Sequence, residues 1–194
     1  MTNEKDLNRY NIMKRLDDEL IYPNEAIKDA ASNGYTKIVK LLLKDKRVTA
    51  YNEALNLACN YGYAKTVKVL LSDKRVDPTL CENFCIRWAS EKGHEETVKV
   101  LLSDKRVDPT AEDNYAVRFA SYYGHTKTVK LLLGDNRINI NDIDNCAIFL
   151  AAENGHVGTV RLLLAYGMKY QRNQNNWISR VDSTKGSMSN SRTP

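Results

Sequence analysis

Three histidines, His94, His125 and His156, stand 31 residues apart, each directly after a glycine. Imidazoles at regular spacing could ligate zinc, since the neutral ring binds borderline metals. If the rings sat at one register of stacked helices, neighbours would lie roughly 8–10 Å apart, within joint reach of an ion. No cysteine or carboxylate shares that register in all three places, whereas a zinc site takes four close ligands. The histidines are therefore expected to start helices rather than to hold metal. Cys81 and Cys85 are four residues apart, but the second ligand pair of a zinc site is missing, so both are expected to pack. A Gly-rich phosphate loop, a nucleophile elbow and a repeated carboxylate pair are also missing from the sequence. The reading is a non-enzyme, with no catalytic residue, no metal and no cofactor.

What positions the histidines is a repeat. Gly62 to Pro78 and Gly93 to Pro109 read almost identically through Thr-Val-Lys-Val-Leu-Leu-Ser-Asp-Lys-Arg-Val-Asp-Pro. The register continues at Gly124 and Gly155, each 31 on, and begins at Gly34, 28 before Gly62. A fixed period of this size marks a stacked array in which each unit touches only its neighbours. The first apolar-periodic segment of each copy is predicted as a helix over Ala26 to Asn33, Ala54 to Tyr61, Cys85 to Lys92, Ala116 to Tyr123 and Ala147 to Asn154. A small residue at Ala30, Ala58, Ala89, Ala120 and Ala151 lets neighbouring helices approach. The following glycine is the residue that turns left-handed past a helix end.

The second segment buries a stripe such as Val39, Leu42 and Leu43, Val98, Leu101 and Leu102, or Val129, Leu132 and Leu133. Its opposite face carries Lys40, Lys68, Lys99, Lys130 and Arg161. A solvated face is the simplest account of that basic column, and an acidic partner is the second. Connectors such as Asp77-Pro78-Thr79 end the helix, because proline fixes φ and lacks an N–H. The connector at Val48-Thr49-Ala50 is three residues shorter, which reads as a surface-loop deletion.

Apolar residues make up 42% of the 194 and charged residues 27%, ordinary values for a globular protein. Four cysteines are too few for a disulfide framework and are read as reduced thiols in a cytoplasmic protein. No apolar run approaches the roughly 20 residues of a membrane span, and the polar start predicts no secretion. Net charge is +5. Lys169, Arg172, Arg180, Lys185 and Arg192 against Asp182 place +4 of it after Met168, leaving the array near neutral and without a nucleic-acid footprint. Residues 1–23, with Leu7, Tyr10, Met13, Leu16 and Leu20 on one helical face and Pro23 closing the stretch, are expected to cap the array. Residues 169–194 are expected to form a flexible tail, with Trp177, Ile178 and Val181 available to dock a short segment.

A helix ending in glycine, a Gly-His start to the next, a Thr-Val-Lys-Leu-Leu-Leu body and a connector ending in Asp-Pro-Thr together resemble the ankyrin repeat. The match runs over residues 24–168 as five copies, 24–51, 52–82, 83–113, 114–144 and 145–168. The resemblance implies an all-α, curved right-handed solenoid of helix-turn-helix units, joined by short loops or hairpins, that binds other proteins and performs no catalysis. Two features depart from the family: the Thr-Pro-Leu-His opening is absent and the period is 31 instead of 33. Asn83, Asn114 and Asn145 are expected to replace the missing helix caps, on a connector shorter than a β-hairpin finger. The Ser-Asp-Lys-Arg-Val-Asp-Pro-Thr dialect resembles ankyrin families of giant amoebal DNA viruses and of amoebae.

Ankyrin-like stacks commonly contact partners at the end of the first helix and at the connector tips. The two residues before each glycine vary from copy to copy while their surroundings repeat. Tyr61, Glu91, Lys92, Tyr122, Tyr123 and Glu153 are accordingly the candidate partner-binding residues on the concave face, with the tyrosines as anchors. Packing against the adjacent loop is the alternative for those tyrosines. The partner is expected to be another protein, a host protein if the chain is viral, bound by a monomer with no small-molecule substrate and no membrane. Nucleic-acid or anionic-surface binding through the basic tail is one alternative. A ubiquitin-ligase substrate adaptor is the other, although no ligase-binding motif is visible.

Overall fold

The computed structural model describes residues 22–138 and 146–167. Helices α1 (Pro23–Ser32), α3 (Tyr51–Asn60), α5 (Leu80–Glu91), α7 (Ala111–Tyr122) and α9 (Cys146–Glu153) are the first helices of the five copies. Their seconds are α2 (Thr36–Leu42), α4 (Ala64–Leu71), α6 (Glu95–Leu102), α8 (Thr126–Leu133) and α10 over 157–167. No strand occurs among the described residues. First helices stack on first helices and second on second, and the substantial contacts all fall within a copy or between adjacent copies. The solenoid is all-α, as expected.

The core is a row of alanines between first helices and a row of valines and leucines beneath the second. Ala58, Ala89, Ala120 and Ala151, with Val67, Val98 and Val129 and with Leu70, Leu101 and Leu132, are fully enclosed. Each first helix ends in a doubled turn: in copy three Gly93 N–H donates to Ser90 O at 3.1 Å and His94 N–H to Ala89 O at 2.9 Å. The same pair of bonds closes the other four first helices. This arrangement satisfies carbonyls that a helix end leaves bare, and it needs the left-handed glycine, here at φ of 70°.

Several boundaries differ from expectation. Pro23 opens α1 at the start of the helix, where its missing N–H is no loss; the expected capping helix before it and the expected polar tail lie outside the described residues. The first helices begin three to five residues earlier than predicted in copies one to four. In α5 and α7 the added residues are not right-handed: Cys81, Glu82 and Asn83, then Glu112, Asp113 and Asn114, have φ between 51° and 59°. Each forms one left-handed turn closed by Asn83 N–H to Thr79 O at 3.0 Å or Asn114 N–H to Thr110 O at 2.9 Å. The three residues missing after Val48 are therefore this turn rather than a generic loop, and α3 starts without it. Arg87 and Arg118, six residues on, donate to the exposed carbonyls of Cys81 and Glu112 at 2.7 and 3.1 Å. The copies that open α1 and α3 without the turn have Lys28 and Asn56 at that register. Non-glycine left-handed residues cost roughly 1–2 kcal/mol each, which these bonds partly offset.

Candidate functional site

The histidines that looked chemically able are instead joints between copies, and an asparagine and an arginine of the repeat make two more. His94 Nε2 lies 2.9 Å from Asn60 O, His125 Nε2 2.9 Å from Glu91 O, and His156 Nε2 2.9 Å from Tyr122 O. A carbonyl only accepts, so Nε2 carries the proton, and each ring covers the first-helix end of the copy before it. The rings lie so close that a Cβ placed on Gly62, Gly93 or Gly124 would meet them at 2.4–2.6 Å. Tyr63 fills the same place over Gly34.

The asparagines do not cap their own helices: α5 and α7 show no side-chain cap bond, which corrects the expectation for Asn83 and Asn114, while Asn145 lies outside the described residues. Asn83 Oδ1 instead accepts from Asp108 N–H at 2.8 Å, as Asn52 does from Asp77 and Asn24 from Thr49 and Ala50. Left-handed turns occupy the place where a cap would sit, and the amide pins the next connector. Arg106 makes a third joint. It is forked by Asp104 at 2.6 Å and donates to Val76 O and Leu71 O at 2.8 and 3.1 Å, on the copy before. Arg137 repeats the pattern on Val107 and Leu102. These arginine bonds hold the carboxyls of Asp73, Asp104 and Asp135 below the usual carboxylate range.

Cys85 packs in the core, as expected, but Cys81 is exposed on the left-handed turn, a correction that follows from the turn lifting it out of the helix face. Burial pushes the Cys59 thiol up, and the neighbouring Cys85 adds to the effect. Among the described residues no group of three His, Cys, Asp or Glu is placed to hold a metal ion. No helix among them is long and apolar enough to cross a membrane.

The free face of the first helices is where the copies differ. Residues nine, five and two before each glycine share that face, as their spacing requires. In copy three they are Phe84, Trp88 and Glu91, and in copy four Tyr115, Phe119 and Tyr122. Phe84 stacks on Trp88 at 5.2 Å and Tyr115 on Phe119 at 4.0 Å, and Tyr122 meets Tyr123 edge-on at 4.8 Å. Two contacts tie the two sets together: Tyr115 donates to Glu91 Oε2 at 2.6 Å, and the Arg87 guanidinium lies 5.2 Å over the Tyr115 ring. Within copy three, Lys92 sits 5.6 Å over Trp88. Burial, with the Glu91 carboxylate beside it, pushes the Tyr115 hydroxyl up to about 12.

Of the candidates, Tyr61 and Tyr123 stand out into solvent, 52% and 48% exposed, and Glu153 is exposed as well. Lys92 is exposed beside the platform, and Tyr122 is half-buried within it. Glu91 is placed differently: its side chain is 11% exposed, held by Tyr115. Tyr61 pairs with Tyr63 at 6.4 Å, one copy away from Lys92. Phe84, Trp88, Tyr115 and Phe119 were missed. Their signal was present as variation at the two earlier registers, where copies one and two carry Glu25, Asp29, Glu53 and Leu57.

A family model of ankyrin repeats, in three copies, matches residues 27–113 and again 86–175. The chain belongs to the ankyrin repeat family. Ankyrin repeats generally mediate contact between proteins and are typically non-enzymatic, and this ankyrin array keeps its varied side chains on one face of a constant frame. A comparison with curated proteins finds no match.

Proposed function

We propose that this ankyrin array is a non-enzymatic scaffold that grips a protein on the first-helix face of copies two to five. Trp88, Phe119, Tyr122 and Tyr123 are the anchors, Tyr61, Lys92 and Glu153 the rim, and Glu91 holds Tyr115 in place. The observation that carries this is the aromatic platform, five rings on two adjacent helices and a sixth, Tyr123, directly after the second, at registers where the frame requires none. Large rings fixed by neighbours lose little entropy on binding, which is how hot spots earn their energy. Free thiols at Cys59, Cys81, Cys85 and Cys146 support a reducing, cytoplasmic setting. The resemblance of the connector dialect to arrays of giant amoebal viruses would make the partner a host protein.

Capture from amoebal lysate on the immobilised chain, read by mass spectrometry, tests the proposal against a Trp88→Ala/Tyr123→Ala double variant. Each truncation is expected to cost about 1–2 kcal/mol of binding with helicity retained. Equal capture by both chains would remove the platform as the binding surface.

A further inference from the structure

The second helices offer a separate face. Lys37, Lys40, Lys65, Lys68, Lys99, Lys127 and Lys130 all lie exposed along α2, α4, α6 and α8. Of these seven, only Lys127 has a carboxylate within ion-pair distance among the described residues, Glu95 at 3.7 Å. Toward the last copies this face opens into a groove between α6, α8 and α10, with Leu102, Leu131 and Tyr166 among its lining and Lys99, Lys127 and Lys130 beside them. Asp135 and Glu95 also line it, but Asp135 is matched by Arg137 at 2.7 Å and Glu95 faces Lys127. The charge left without a counterpart is positive, at Lys99 and Lys130. A face that only kept helices soluble would need lysines, not leucines and a tyrosine set between them.

We propose that this groove docks an acidic peptide segment of a partner protein, an apolar side chain entering against Leu102, Leu131 and Tyr166 while flanking carboxylates meet Lys99 and Lys130. Charge complementarity sets the sign of the ligand and the apolar lining sets its anchor. A phosphate backbone fits less well, since it brings no apolar group and Glu95 and Glu96 interrupt the lysine stripe on α6. The site is independent of the aromatic platform, so the array would hold two proteins at once, one on each face.

Fluorescence anisotropy of the full chain with a short labelled peptide, glutamates flanking a central Leu-Phe pair, tests this beside three other probes. They are an oligoglutamate of equal length, a DNA duplex and phosphatidylserine vesicles. The Leu-Phe peptide should bind tightest, and Lys99→Glu with Lys130→Glu should weaken it about tenfold or more. Raising salt from about 0.05 to 0.5 M should weaken it similarly, as the Debye length shrinks. Trp88→Ala/Tyr123→Ala should leave it unchanged, which separates this groove from the platform. Absence of peptide binding, indifference to charge reversal, equal binding of oligoglutamate, or tighter binding of duplex or vesicles would each overturn the proposal. Both lysines are exposed, so far-UV circular dichroism should show the variants folded.

Discussion

Gly93→Ala separates backbone strain from packing between copies, because the chain contains its own control. Gly93 and Gly155 have nearly the same φ, 70° and 73°. A Cβ on Gly93 would meet the His125 ring at 2.5 Å, whereas on Gly155 it would meet nothing within 4 Å among the described residues. The left-handed penalty for alanine, roughly 1–2 kcal/mol, applies to both. At Gly93 the ring must also swing away, breaking the bond from Nε2 to Glu91 O, worth about 1 kcal/mol, and losing its packing. Gly155→Ala should therefore cost about 1–2 kcal/mol and Gly93→Ala about 2–4 kcal/mol. His125→Ala removes the obstacle, so the double variant Gly93→Ala/His125→Ala should fall short of the sum of the singles by about 1 kcal/mol or more. Urea unfolding followed at 222 nm measures all four variants, and hydrogen exchange at α5 and α7 shows whether loss is local to that joint. Equal costs at the two glycines, or additive energies in the double variant, would refute a close-packed joint.

Two further outcomes follow from the same joints. Thr36 and Thr126 meet Thr66 and Thr159 of the next copy at 2.8 and 2.7 Å, but the buried hydroxyl of Thr97 has no partner among the described residues, since the matching residue is Ala64. Ala64→Thr should supply one and raise stability by about 0.5–1.5 kcal/mol in thermal or urea unfolding, against no gain in an Ala64→Val control. The carboxyls of Asp73, Asp104 and Asp135 titrate lower when folded than when unfolded, so their contribution is present above the unfolded value of about 3.9 and is lost as pH falls through the folded values. Stability should thus hold between about pH 7 and 5 and decline below about 4, and Arg106→Ala should flatten part of that decline while lowering stability at neutral pH. A slope unchanged by Arg106→Ala would mean the Asp104 fork contributes nothing measurable.

The period, the helix pairs and the turning glycines were legible because each follows from one local rule: apolar spacing, or the absence of a Cβ. The joints between copies were not. Asn83 satisfied every sequence criterion for a cap, yet its acceptor serves a backbone N–H 25 residues on, a distance no local rule covers. The left-handed turns were hidden for a different reason, since Cys81, Glu82 and Glu112 are not residues that favour positive φ. The turn is stabilised from outside by Thr79, Thr110, Arg87 and Arg118. The tyrosines at the first-helix ends could be read from variation between copies, but Trp88 and Phe119 lie deeper in segments that resemble ordinary core periodicity. Only the stacking of α5 on α7 shows that those rings point away from the core.

Joint and surface divide the sequence between them. Asn24, Asn52 and Asn83, ten residues before a glycine, the histidines His94, His125 and His156 after one, and Arg75, Arg106 and Arg137 of the connectors each bond the neighbouring copy. The imidazole takes only the backbone carbonyl of the residue two before the glycine in the copy before it. That leaves the side chain at this register, Asn60, Glu91 or Tyr122, without a structural duty toward the histidine. A frame that draws its cohesion from backbone carbonyls can change the side chains lying over them at little cost in stability. Glu91 in copy three and Tyr122 in copy four occupy that permitted register, which is why one can hold Tyr115 and the other can join the ring cluster without disturbing the stack that carries them.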